Sequence, residues 1–340
     1  MVRFYKAGST KMTQSNTLAA GIDTCAGIDT SKDKLDVAIH ASTTRWQADN
    51  TAAGWRFIAE RLTAAGITRV GIEATGGYER GIVKHLREQN FSVLVLQPTQ
   101  VKAYAKMHLR RAKNDAIDAG LIAGCAAGIE PPAIAPDPRL EVLAGHLTFI
   151  EQIEEDKARL KTRLEHTDDP RLRGLIKADI AELSKRRATE MLRIIKALRA
   201  HADLARRYHL VLSVAGIGER TAIAIIIRLP ELGRLSREEV AALAGLAPYD
   251  VDSGKYHGQR HIAGGRARLR RSLYAAALPA AFRWNQALID LYTRLIGRGK
   301  CHQAALVACA RKLIIYANTV VQRGTPWVAN RPATAVPTPE

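Results

Sequence analysis

Cysteine is scarce in this chain, and acidic side chains are outnumbered. Four cysteines stand in 340 residues (Cys25, Cys125, Cys301 and Cys309). None forms a Cys-x-x-Cys pair and no histidine lies at zinc-finger spacing, which speaks against a disulfide framework and a structural zinc site. They read as reduced core thiols of a cytosolic protein. No run of about 18 apolar residues marks a bilayer-spanning helix; "TAIAIIIRL" (Thr221–Leu229) is too short and reads as a core helix. The first twenty residues lack the apolar centre of a signal peptide. Residues 1–22 read as a loose N-terminal extension in which Met12 is an alternative start. No internal repeat is visible beyond two long helices with coiled-coil spacing.

What is present is positive charge. Lys and Arg number 51 against 33 Asp and Glu, a formal +18, with a pI near 10.0. Such a field favours a polyanion, with nucleic acid first and an anionic membrane surface as competitor. The apolar share of 47% supplies ordinary cores, and the length suits about two domains.

From Cys25 to about Ala127 strand and helix patterns alternate. "CAGIDT", "LDVAIH" and "TTRWQAD" are strand-like and joined by short turns; "RVGIEAT" and "FSVLVLQP" follow, separated by helical stretches. This predicts an α/β domain over 23–130, a mixed sheet with helices on its faces. "PPAIAPDPRL" predicts a linker at 131–139. Residues 140–205 carry Leu147, Ile150, Ile153, Leu160 and Leu164, then Ile176, Ile180, Leu183, Met191 and Ile194 at helical spacing. They predict two long helices in an antiparallel hairpin or coiled coil, with ordinary bundle helices as the alternative. Residues 206–325 read as a mainly helical C-terminal domain, and the Pro-rich 326–340 as a disordered tail.

The carboxylates of interest sit at strand ends or on one helix face. Asp29 ends the first strand; Glu73 ends "RVGIE"; Asp115 and Asp118 share a face of the helix in "KNDAIDAG". Like charges at that spacing repel, and a divalent cation would compensate. Mg²⁺, with Mn²⁺ as substitute, takes such hard oxygen ligands, and a metal pair can clamp both sides of a phosphodiester displacement. For each acid alone a solvated residue or helix cap is the simpler reading; the set of four in a strand–helix frame of RNase H type favours metal. Just before the pair, Lys102, Lys106, Arg110, Arg111 and Lys113 lie in residues 101–113, which carry no acid, and suit a phosphate backbone passing over the metal.

"LSVAGIGERTA" places Gly216 and Gly218 between two helical runs. This has the look of a helix-hairpin-helix that offers backbone N–H groups to phosphate, or of a plain helix–helix turn. Residues 254–300 hold ten Lys and Arg against one acid, Asp290. Lys255, Arg260, Arg266, Arg268, Arg270 and Arg271 crowd its start and predict a nucleic-acid surface. Ser253 stands in the polar loop "DVDSGKYHG", with His257 and His261 nearby. It is a turn former or a nucleophile working in a field of cations.

Together "GIDTSKDKLDVAI", "GIEATGGYE", "KNDAIDAGLIA", "VAGIGERTA", "ALAGLAPYDVDSGKYHG", "GGRARLRRSLY" and "ALVACARKLI" resemble, in order and spacing, the DEDD transposases of the insertion-sequence-110 type and its 1111 branch. The resemblance implies an RNA-guided serine recombinase, with a RuvC-like N-terminal domain joined through a coiled coil to a C-terminal transposase domain. It implies that Asp29, Glu73, Asp115 and Asp118 are the tetrad coordinating Mg²⁺, and that Ser253 attacks a DNA phosphodiester to form a phosphoserine link. It further implies double-stranded DNA of element ends and target as substrate, a structured non-coding guide RNA, and a cytoplasmic, nucleoid-associated location without membrane attachment. The active site would be composite, built in a dimer or tetramer. Two other readings stand beside it: a RuvC-like junction-resolving endonuclease using the same acids with water as nucleophile, and a catalytically silent nucleic-acid scaffold.

Overall fold

The computed structural model describes residues 24–108, 115–130, 137–249, 252–253, 256–257 and 260–328. The chain divides into two compact units, Met1–Ala133 and Ile134–Glu340.

In the first unit, alternation of apolar and polar residues produces three short strands: β1 (Cys25–Thr30), β2 (Lys34–Ile39) and β3 (Arg45–Asp49). Leu35 and Val37 are buried while Lys34 is exposed, so one face of β2 meets a core. Thr51 accepts the Gly54 N–H and caps α1 (Ala52–Ala64). There follow β4 (Arg69–Glu73), α2 (Arg80–Glu88), β5 (Ser92–Leu96), α3 (Pro98–Met107) and α4 (Asp115–Ala127). The sheet order is β3-β2-β1-β4-β5. The first three strands form an antiparallel meander, and β4 and β5 join in parallel. The expected mixed sheet is therefore present, with a core on each face. Ala26, Ile28, Val70 and Ile72 pack with Ile58, Leu62, Ile82 and Leu86 of α1 and α2. Cys25, Leu94 and Leu96 pack with Val101 of α3 and Ile122, Cys125 and Ala126 of α4.

Two glycines let α4 lie directly on the sheet. A Cβ on Gly27 would stand 2.2 Å from the Ala119 carbonyl oxygen and 2.2 Å from the Ala123 nitrogen; one on Gly71 would stand 2.5 Å from Ala126 Cβ. The Gly27 clash is with backbone, so no rotamer relieves it. Gly27→Ala is expected to lower unfolding stability by about 3 kcal/mol, the upper range for overpacking, as measured by urea denaturation.

The second unit opens with α5 (Pro138–Glu165) and α6 (Pro170–Arg199). Both begin Asp-Pro: Asp137 and Asp169 accept backbone N–H groups as N-caps, and proline takes the first helical position. His146 Nδ1 lies 2.8 Å from Glu190, and Arg187 donates to Glu154 at 2.8 Å, so the helices run antiparallel. At the base of this hairpin, Leu140, Leu143, Leu147, Ile150, Ile194 and Leu198 enter one core with the C-terminal helices. Those are α7 (Ala202–Leu212), α8 (Glu219–Arg228), α9 (Arg237–Leu243), α10 (Ala267–Pro279), α11 (Gln286–Gly297) and α12 (His302–Arg323), with a π-helical turn at Ala280–Trp284. Four two-residue strands, β6 (Pro248–Tyr249), β7 (Asp252–Ser253), β8 (Tyr256–His257) and β9 (His261–Ile262), lie between α9 and α10.

Two expectations change. By length and composition α12 is apolar enough to cross a bilayer, although Arg311 and Lys312 interrupt its apolar run. Its buried side chains, among them Leu306, Leu313, Ile314 and Val320, belong to the core of this unit. Secondly, only three cysteines are core thiols: Cys25, Cys125 and Cys309 are buried, whereas Cys301 is exposed. Burial pushes the Cys309 thiol up to about 11.

Candidate active site

The parallel register pairs Cys25 with Arg69, Gly27 with Gly71 and Ile28 with Ile72. The next residues along the two strands are Asp29 and Glu73, which therefore lie toward the same end of neighbouring strands. Gly27 and Gly71 face α4, so the two acids, two positions on, share that face. Cys125 and Ala126 pack beside Cys25 at the start of β1, so α4 runs opposite to β1 and its first turn lies toward Asp29. Asp118 is half-buried in that turn, directly before Ala119, which touches Gly27. Asp115 is the first residue of α4; its side chain lies outside the described residues. The fold thus gathers Asp29, Glu73 and Asp118 at one end of one sheet face.

Their donors are all carboxylate oxygens, the type Mg²⁺ prefers. Among the described residues no three His, Cys, Asp or Glu side chains converge into a ready metal cage. The donor chemistry fits a divalent ion. Across the antiparallel pair Asp29 faces Asp36, whose carboxylate accepts from Gln47 Nε2 at 3.1 Å and 3.2 Å.

A network that the sequence reading missed fixes the strand ends beside the acids. Thr75 Oγ1 and the N–H groups of Thr75 and Gly77 donate to Glu79 Oε2 at 2.9, 3.2 and 2.8 Å. Thr30 Oγ1 lies 2.9 Å from Thr75 Oγ1; the Thr75 proton is committed to Glu79, so Thr30 is the donor. Burial raises the Glu79 carboxyl, but these bonds and the backbone N–H of Glu79 itself outweigh it and hold it below the usual carboxylate range. The visible signal was the pair of threonines directly after Asp29 and Ala74. On α3, Lys102 and Lys106 are exposed; Arg110, Arg111 and Lys113 lie outside the described residues.

In the second unit Ser253 is on a hairpin rather than in the loop expected of it. Pro248 pairs with Ile262 and Tyr249 with His261; Asp252 pairs with His257 and Ser253 with Tyr256. That register puts Ser253 at the last pair before a two-residue connection. Its side chain, that of His257, and Lys255 lie outside the described residues; Arg260 and His261 are exposed.

The arginines of the basic helix have intramolecular partners. Arg266 forks onto Glu231 at 2.6 and 2.8 Å. Arg268 donates to Glu151 at 2.6 Å and Arg271 to Glu155 at 2.9 Å. Arg270 donates to the Gly264 carbonyl at 2.6 Å. Glu151, another residue the sequence reading missed, also holds Arg228 at 2.8 Å; burial pushes the Arg228 guanidinium down, and the Glu151 charge opposes that push. Gly216 has φ +97°, and a Cβ there would lie 2.4 Å from Ala280 Cβ. The Gly216 turn is therefore packed against the protein interior, while Gly218, the N-cap of α8, is open to solvent.

Residues 26–169 match a family model for IS110-type DEDD transposases, described as "Transposase". Residues 208–293 match a second, described as "Transposase IS116/IS110/IS902 family"; together the two span most of the chain. The chain is 26% identical to the pilin gene-inverting protein of Moraxella bovis, over 89% of this chain and 97% of that protein. It is 27% identical to the pilin gene-inverting protein of Moraxella lacunata, over 75% of this chain and 80% of that one. It is also 31% identical to an uncharacterized 43.6 kDa protein of insertion element IS110 from Streptomyces coelicolor, over 36% of this chain and 30% of that one.

Proposed function

Because this chain belongs to the IS110 family of transposases and is a DNA-cleaving and rejoining enzyme, we propose that it is a serine recombinase working with a carboxylate-held Mg²⁺. The observation that supports this is the parallel register of β1 and β4, which brings Asp29 and Glu73 to the same end of neighbouring strands, on the sheet face where α4 begins. The order β3-β2-β1-β4-β5, antiparallel on one side and parallel on the other, supports a RuvC-like reading of the first unit.

Asp29, Glu73, Asp115 and Asp118 would hold the metal. Bound Mg²⁺ supplies Lewis-acid polarisation of a phosphate oxygen. Ser253 Oγ attacks the scissile phosphorus; the Oγ–P bond forms, the bond from phosphorus to a deoxyribose oxygen breaks, and that oxygen takes up the proton equivalent released by the serine. The phosphodiester energy is retained in the phosphoserine, so a strand hydroxyl can attack it and restore both DNA and serine. Two relatives are named for inverting a gene, and inversion requires cut ends to be rejoined. This favours recombination over the hydrolytic alternative, in which the same acids activate water. Target choice by a structured non-coding RNA, with the acids of one subunit and the serine of another meeting at the DNA, completes the proposal.

The test is purification from cells carrying the flanking DNA of the gene. Sequencing of co-purified RNA is expected to return one structured transcript from that flank. Incubation with element-end DNA and Mg²⁺ is expected to give a covalent protein–DNA adduct on a denaturing gel. Random cellular RNA together with free cleaved ends would favour the hydrolytic reading.

A further inference from the structure

β3 is the terminal strand of its sheet, and among the described residues no strand lies against its outer edge. The ladder to β2 decides which main-chain groups face that edge. The Ile39 N–H donates to the Thr44 carbonyl at 3.2 Å and the Asn50 N–H to the Asp33 carbonyl at 2.9 Å. Both fit the register that pairs Val37 with Trp46 and Asp36 with Gln47, and hydrogen-bonded pairs recur at every second residue of an antiparallel ladder. Trp46 and Ala48 therefore bond inward to β2, whereas Arg45, Gln47 and Asp49 turn their N–H and C=O groups outward. The Asp49 carbonyl takes the Thr51 N–H at 2.8 Å and keeps a second lone pair. Edge strands are commonly guarded by proline, lysine or a bulge. β3 contains neither residue, and its register to β2 is unbroken.

The strand reads Arg-Trp-Gln-Ala-Asp and is complementary to itself. Laid antiparallel on its own copy about Gln47, it sets Arg45 opposite Asp49, Trp46 opposite Ala48, and Gln47 opposite Gln47. Opposite charges meet, and the largest side chain meets a small one. The register that charge selects is also the one the main chain allows, because Arg45, Gln47 and Asp49 become the hydrogen-bonded pairs. Arg45 and Asp49 are exposed, and neither has an ion pair among the described residues. The Gln47 amide is already held by Lys34 at 3.1 Å and Asp36 at 3.1 Å, so it does not compete for them. On the other face Arg61 lies 4.5 Å over the Trp46 ring and 5.9 Å from the Phe57 ring, and Phe57 is 47% exposed.

We propose that β3 is a docking edge for a second copy of this chain, pairing antiparallel with its own counterpart about a two-fold axis through Gln47. Such a contact is isologous: each copy gives Arg45 to the other's Asp49 and receives the reverse. The two five-stranded sheets then continue as one. Residues opposite one another in a strand pair project to the same side, so the axis stands perpendicular to the sheet and α4 of both copies lies on one face. The proposal names a contact that the recombinase reading leaves open, and it does not depend on the serine or the metal.

The experiment is sedimentation of the full chain without nucleic acid or Mg²⁺. Arg45→Asp leaves only acids at the paired edge, and Asp49→Arg leaves only cations. Each is expected to weaken self-association about tenfold or more, because two attractive pairs become repulsive. Mixed in equal amounts the two variants are complementary again, and the mixture is expected to regain the association of the native chain, which also shows that both fold. A cross-link tests the register. In a Cys301→Ser background, which removes the exposed native thiol, Gln47→Cys is expected to give an oxidised dimer on a non-reducing gel. Opposed residues of a hydrogen-bonded pair stand about 5.5 Å apart at Cα, within disulfide reach. Asp49→Cys in the same background lies four residues along from its counterpart, about 13 Å, and is expected to cross-link only at background level. A native chain that stays monomeric, single variants that associate as the native chain does, a mixture that does not recover, or a Gln47→Cys cross-link no stronger than that of Asp49→Cys would each overturn the contact. DNA takes no part in these measurements, so their failure leaves the recombinase reading standing.

Discussion

Replacing Asp29 by asparagine is expected to reduce strand transfer by at least about a hundredfold, the scale on which one preorganised electrostatic group acts in a transition state, while leaving the protein folded. Asparagine keeps the shape and removes the charge that holds a cation. The sheet context gives this variant a signature that a folding defect would not share. Asp29 faces Asp36 directly across β1 and β2, and like charges opposite one another destabilise a strand pair by up to about 1 kcal/mol. Asp29→Asn relieves that repulsion, so the melting temperature should hold or rise as activity falls. A site whose acids are retained against the interest of stability behaves this way. The measurements are strand transfer on element-end DNA and a thermal melt of the same preparation. Activity within threefold of the native enzyme would remove Asp29 from the metal site.

Ser253→Ala is expected to abolish the covalent adduct and lower strand cleavage by roughly 10⁴-fold or more, as loss of a nucleophile does elsewhere. DNA affinity should be unchanged. The hairpin around it is held by backbone pairing of Ser253 with Tyr256 and Asp252 with His257, which alanine preserves. The two variants together sort the mechanisms. A serine recombinase loses activity in both; a hydrolase using water loses it in Asp29→Asn alone and leaves free cleaved ends in Ser253→Ala; a scaffold is indifferent to both and to Mg²⁺. Full cleavage by Ser253→Ala with undiminished Mg²⁺ dependence would defeat the serine mechanism and leave the carboxylate reading standing.

Much of the first unit was legible because its signals are local. Apolar alternation joined by short turns marked β1, β2 and β3, and in the second unit the helical spacing of apolar residues marked α5 and α6. The acids could be named from their places at strand ends, but not their alignment. That Asp29 and Glu73 come to the same end of neighbouring strands follows from a parallel pairing between segments more than forty residues apart, and that α4 begins there follows from two glycines that seat it. The basic helix shows the opposite limit. Composition counted Arg268 and Arg271 as free cations, but their partners Glu151 and Glu155 lie 117 and 116 residues away, beyond any local pattern. The apolar face of α12 is likewise explained by its packing into the core of the second unit, which composition does not reveal.

The seat of α4 has a consequence for how this catalyst tolerates change. At Gly27 the helix rests against the strand main chain with no side chain between, so the spacing from Asp118 to Asp29 is a main-chain dimension. Core side chains elsewhere in the unit can be exchanged for others of similar volume, and the surface can drift freely, without altering the gauge between the acids. A single methyl group added at the contact point would reset it.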